Sequence, residues 1–154
     1  FRLDVWHTWM DPFAHVNHPV YVDWADEALA MDKWFQLQAV SAVQGLPAGI
    51  AELAQRPDYD RGVPNRVRAL FGAFGQRHFA GLHRGNGEGY RLLADEVLTM
   101  DALNPQVASR LVRPLTQLAR IEGERARLMR TELERIAAKQ DLSADVREIV
   151  SAAL

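Results

Sequence analysis

Apolar and polar residues alternate over residues 1–9, FRLDVWHTW. Phe1, Leu3, Val5, His7 and Trp9 fall on one face of an extended chain, and Arg2, Asp4, Trp6 and Thr8 on the other. That two-residue period predicts a strand. DPFAHVNHP follows, and its two prolines, Pro12 and Pro19, predict a loop. From about Tyr21 the period lengthens. Trp24, Ala28, Met31, Trp34, Phe35 and Gln38 recur at three and four, which predicts an amphipathic helix ending near Gly45-Leu46-Pro47. A short helix is expected from about Ala48 to Gln55, with RPDYDRGVP as its interruption. Val67, Leu70, Phe71 and Phe74 form the stripe of the next helix, expected to break at Gly75. RHFAGLH reads as a loose turn leading into the loop RGNGEG. Leu93, Val97 and Met100 share a face of a helix from Tyr90 to Leu103. Asn104 is a fitting N-cap, with Pro105 at the first helical position. Val107, Leu111, Leu115 and Leu118 continue that helix, and Pro114 inside it should kink it. Leu128, Met129, Leu133 and Ile136 mark a long helix from about Glu122. Its polar face sets Glu122/Arg125, Glu124/Arg127 and Glu132/Arg135 three apart. Ser143 caps a last helix buried through Val146, Ile149 and Val150.

The pattern therefore predicts an all-α fold. It is an α-solenoid or helical bundle of about seven helices, with a short N-terminal strand-loop appendage. The strand has no partner within the chain. It frays, belongs to an absent sheet, or pairs with its own copy, and the last case predicts a homodimer through residues 1–9.

Composition narrows the chemistry. The 154 residues are 48% hydrophobic and 25% charged, enough apolar material for one domain with a core. There is no Cys, which excludes a disulfide framework, a thiol nucleophile and thiolate metal sites. No apolar run reaches the roughly 20 residues a bilayer requires, and no signal-peptide pattern opens the chain, so a cytoplasmic location without membrane partners is expected. The net charge of −2 hides an asymmetry. Residues 1–60 carry three basic and nine acidic groups, and residues 61–154 fifteen and eleven. The basic half is rich in Arg interleaved with Glu, the pattern of a solvated helical surface. Nucleic acid is not an expected partner.

Few residues carry chemistry by spacing alone. HExxH is absent, and His7, Asp11, His15 and His18 offer no convincing ligand set, so no metal site is expected. GNGEG lacks both the Lys-Ser/Thr of a phosphate loop and a preceding strand, and reads as a turn. Asn65, Arg66 and Arg68 open one helix; Ser109, Arg110 and Arg113 lie on another. Arginine suits bidentate carboxylate recognition. Arg66 and Arg110 sit among apolar neighbours, where a structural Arg–carboxylate pair is the favoured reading. Asp11 lies between a strand and a helix start, where a carboxylate can serve as base or nucleophile, or simply cap a turn.

ALAMDKWFQLQA, VPNRVRALFGAF, LNPQVASRLVRPL, LMRTELERI and DLSADVREIVSAAL, in that order over residues 28–154, resemble the C-terminal helical domain of bacterial aminopeptidase N, a zinc-dependent peptidase family. The resemblance implies an α-solenoid that closes over a catalytic domain and restricts access to it. The zinc ligands and catalytic Glu would lie in other domains, so this chain needs no cofactor of its own. Its partners would be the parent's catalytic domain and a peptide substrate. By motif, the channel-lining arginines would be Arg68 in PNRVR and Arg110 in ASR. A second resemblance covers residues 1–29. DPFAHVNHPVY is similar to the D-x-x-G-H-V-N-x-x-x-Y opening of hotdog-fold acyl-CoA thioesterases, with Ala14 at the glycine position. It implies that Asp11 would be the catalytic carboxylate of an alternative, incomplete thioesterase. Together the two resemblances divide the chain into 1–29 and 28–154, a fusion joined within one helix.

Overall fold

The computed structural model describes residues 24–41 and 45–154. Residues 1–31 and 32–154 form separate units, and the first is described only as the opening turns of helix α1. The expected strand at 1–9 with His7 and its homodimer, and the loop carrying Asp11, His15 and His18, all lie outside the described residues.

Every regular element described is helical. The order is α1 (Trp24–Val40), α2 (Pro47–Leu53), α3 (Pro64–Val67), a π-helical segment (Arg68–Gly72), α4 (Ala73–Arg77), α5 (Phe79–Leu82), α6 (Glu88–Leu103) and α7 (Pro105–Leu111). Two 3₁₀ segments (Arg113–Thr116 and Leu118–Arg120) lead to α8 (Gly123–Ala137) and α9 (Ala144–Ala153). With the unbroken run from α3 to α4 counted once, the described residues hold eight helices and no strand, close to the seven expected.

Helix α6 is the centre of the 32–154 unit. It packs against α2, α5, α7 and α8, and α9 closes on α7 and α8. Leu93, Val97 and Met100 of α6 are fully buried, as are Met129, Leu133 and Ile136 of α8 and Val146 and Val150 of α9. Each fully buried side chain of this size contributes about 1.5–3 kcal/mol of transfer free energy. Asn104 serves two helices. Its N–H donates to the Met100 carbonyl at 2.6 Å, closing α6, and its side-chain oxygen accepts from the Val107 N–H at 3.2 Å, opening α7. Ser143 caps α9 in the same way, accepting from Val146 at 3.3 Å.

Two boundaries differ from the sequence reading. Pro114 does not kink a continuing helix: α7 stops at Leu111 and the chain tightens into 3₁₀ turns. Proline has no N–H for the helical ladder, and its ring collides with the carbonyl four residues back. Gly75 does not break its helix, which runs on to Arg77. A Cβ at Gly75 would stand 3.0 Å from Leu93 Cδ2 and 3.1 Å from Pro114 Cγ, so glycine there serves close packing. RHFAGLH is more ordered than a turn. His78 caps α5 by accepting the Gly81 N–H on Nδ1 at 2.7 Å, and its Nε2 faces the Ser41 carbonyl at 2.9 Å. The GNGEG loop is a turn as expected. Gly87 holds φ at 72°, and Asn86 accepts the Glu88 N–H at 3.2 Å.

Candidate functional site

The run α3–π–α4 carries arginines of two kinds. Arg66 points inward. Its Nε donates to Asp32 Oδ1 at 2.7 Å, its Nη1 donates to the Asp58 carbonyl, and its guanidinium lies over the Phe35 ring, 5.2 Å from the centroid. This is the structural Arg–carboxylate pair that the apolar setting of Arg66 implied. A second pair, buried on its carboxylate side, lies nearby. Arg61 grips Glu96 through Nε at 3.0 and 3.1 Å and Nη2 at 2.9 Å, and the Tyr59 hydroxyl donates to the same carboxylate at 3.4 Å. Glu96 is only 3% exposed. Its hold on Arg61 raises that guanidinium's pKa further, and burial, with the Glu96 charge next, pushes the Tyr59 phenol up.

Arg68, two residues after Arg66, is exposed and donates from Nη1 to the Asn65 side-chain oxygen at 3.0 Å. It lines a groove of about 250 Å³ together with Gln36, Gly72, Gln76, Arg77 and Arg110. The two arginines named from the sequence therefore meet in one cleft, although 42 residues separate them. Among the described residues no acidic side chain lines that cleft, and Arg77 and Arg110 are in no ion pair, so the structural carboxylate pair expected of Arg110 does not form. The groove is thus a cluster of three guanidinium groups with two amides beside them. Uncompensated like charges at close range favour an anion between them, and guanidinium forks present paired donors suited to carboxylates.

Arg77 was not visible in the periodicity, and the π segment explains why. Nine residues along an α-helix place two side chains about half a turn apart, so Arg77 would face away from Arg68. Here the Ala73 N–H reaches five residues back to the Arg68 carbonyl. That wider turn accommodates one extra residue, and Arg77 then sits as a residue eight positions on would, about 80° from Arg68. Segments of this kind often occur where a helix serves a site.

Other polar clusters are structural. Asp101 accepts from Lys139 Nζ at 2.8 Å and from the Ser143 N–H at 3.3 Å. Burial raises its carboxyl pKa, but the bonds to Lys139 and Ser143 outweigh burial and hold it below the usual range. Glu124/Arg127 and Glu132/Arg135, two of the three pairs expected on this face, form, while Glu122, just before α8, is in no ion pair with Arg125; Glu132 also lies 4.0 Å from Arg91. Among the described residues no group of three or more His, Asp or Glu could hold a metal ion, and no helix is long and apolar enough to cross a membrane.

Residues 10–154 match a family described as a domain of unknown function, DUF3458_C, built of ARM repeats. This chain belongs to the DUF3458_C family. Three relatives place the family in larger proteins. Over 131 residues, the chain is 43% identical to aminopeptidase N of Caulobacter vibrioides and 38% identical to aminopeptidase N of Escherichia coli. Each match spans 85% of this chain and 15% of the relative. The solved structure of Legionella pneumophila aminopeptidase A, in complex with aspartic acid, superposes with a TM-score of 0.76 at 30% identity, covering 84% of this chain and 15% of that one. The DUF3458_C chain is homologous to the C-terminal helical domain of these aminopeptidases and is about one seventh of their length. The family match begins at residue 10 and takes in Asp11 and the thioesterase-like stretch, so the second resemblance gains no support.

Proposed function

We propose that this chain is the terminal helical domain of an aminopeptidase N-like zinc peptidase, and that it lines and restricts the path of peptides to a catalytic site carried by another domain. Residues 28–154 are the domain in this reading. The zinc, its ligands and the catalytic Glu belong to the parent's catalytic domain, the chain's intramolecular partner. Arg68 and Arg110 face the peptide and bind it. One observation carries the reading: two arginines singled out by motif, 42 residues apart, share one exposed groove with no carboxylate among the described residues that line it. Structural arginines in the same unit, Arg61 and Arg66, are paired with acids.

The test is a domain exchange. This chain replaces its counterpart in Caulobacter vibrioides aminopeptidase N, and turnover of an aminoacyl-anilide is compared with that of a decapeptide. In the exchanged protein, replacing Arg68 and Arg110 by Gln should raise KM for the decapeptide and leave the single-residue anilide unchanged. Equal effects on both substrates, or none on either, would count against an access role. Zinc-dependent hydrolysis of the anilide by the 154-residue chain alone would overturn the assignment of catalysis to another domain.

A further inference from the structure

Arg77 follows the register shift of the π segment into the groove, and it adds a third guanidinium to the pair named by motif. We propose that Arg77 is a specificity-determining residue: with Arg68 and Arg110 it makes the groove select a doubly anionic group. In a peptide that group is an acidic side chain next to the terminal carboxylate. The inference rests on the reading that the groove receives peptide.

Charge, donor count and size all support it. Two guanidinium groups suffice to hold one carboxylate through paired N–H donors. With no acidic neighbour among the described residues of the groove, one carboxylate against three guanidinium groups leaves two positive charges uncompensated, and a second carboxylate reduces that to one. Gln36 and Gln76 add amide donors but no charge. The volume of about 250 Å³ falls just below the roughly 300–1,000 Å³ of sites for drug-sized ligands. It therefore suits a residue or two of peptide rather than a nucleotide cofactor. Arg77 is exposed and in no ion pair among the described residues, so its replacement removes charge from the groove without opening the core. An exposed contact of this kind changes affinity by about fivefold.

The experiment is calorimetric titration of the 154-residue chain and its R77Q variant with acetyl-Ala-Ala-Glu and acetyl-Ala-Ala-Gln, both with free C-termini, and with inorganic phosphate. The Glu peptide is expected to bind the unsubstituted chain about fivefold more tightly than the Gln peptide, and R77Q to bring that ratio close to one. Two results would overturn the inference: a ratio that survives in R77Q, or equal binding of both peptides to the unsubstituted chain. The second would leave the peptide reading of the groove intact. If neither peptide binds, that reading fails and the inference falls with it. Phosphate binding in their absence would then identify an inorganic-anion site instead. Circular dichroism of R77Q confirms that the fold is retained.

Discussion

Arg66 and Arg68 stand two residues apart on one continuous helical run and do opposite things. Arg66 is 9% exposed and bound to Asp32, to the Asp58 carbonyl and to the face of Phe35. Arg68 is exposed, bonded to a neighbouring amide, and opens on a groove with two further arginines and, among the described residues, no acid. The same side chain is fixed as structure where a carboxylate meets it in the interior, and left available where none does. The difference lies in what the fold brings opposite each position rather than in residue type. It predicts that substitutions on the inner side cost stability and those on the groove side cost binding.

The largest effect should come from Arg66→Ala. Removing one partner of a buried pair leaves Asp32 and the Asp58 carbonyl unsatisfied, a cost of about 3 kcal/mol measurable by urea unfolding. Glu96→Gln should follow at about 2 kcal/mol, because it removes the charge held by Arg61 and disturbs the Tyr59 bond. A smaller loss would mean that the second pair is less important than its burial implies. Asp101→Asn should cost about 1–2 kcal/mol at pH 7. The folded-state pKa of Asp101 is depressed, so its contribution is present above the unfolded value of about 3.9 and is lost as pH falls through the folded one. The gap between Asp101→Asn and the unsubstituted chain should therefore close in acid, and a pH-independent gap would contradict the Lys139–Asp101–Ser143 account. Single Gln substitutions at Arg68, Arg77 and Arg110 should change stability least, within about 0.5 kcal/mol. A loss comparable to that at Arg66 would erase the contrast between the two regions.

Much of this division could be read from the chain. The four-residue spacing of Leu93 and Val97, the Asn104 and Ser143 caps and the stripe from Val67 to Phe74 are local signals, and each proved to be core or cap. Glu96 gave a fainter signal: a carboxylate beside Val97 on a face otherwise apolar. Its partner Arg61 is 35 residues away, and no local rule connects the two. Gly75 looked like a break because a glycine signals weakness to a helix read alone. Its reason, the Leu93 and Pro114 side chains against it, exists only in the packed unit. Arg68 and Arg110 were legible by resemblance and not by periodicity. Arg77 was legible by neither, since a straight-helix count places it on the wrong face until the π segment shifts the register.

The most direct test of the central claim pairs binding with stability on the same samples. Fluorescence anisotropy follows a labelled peptide with a free C-terminus as it binds the unsubstituted chain and the R68Q/R110Q double variant, and thermal unfolding is recorded for both. The account predicts at least about a tenfold loss of affinity, with Tm unchanged to within about 2 °C. Unchanged affinity, or a loss accompanied by a fall in Tm like that of Arg66→Ala, would show that the groove arginines are structural after all.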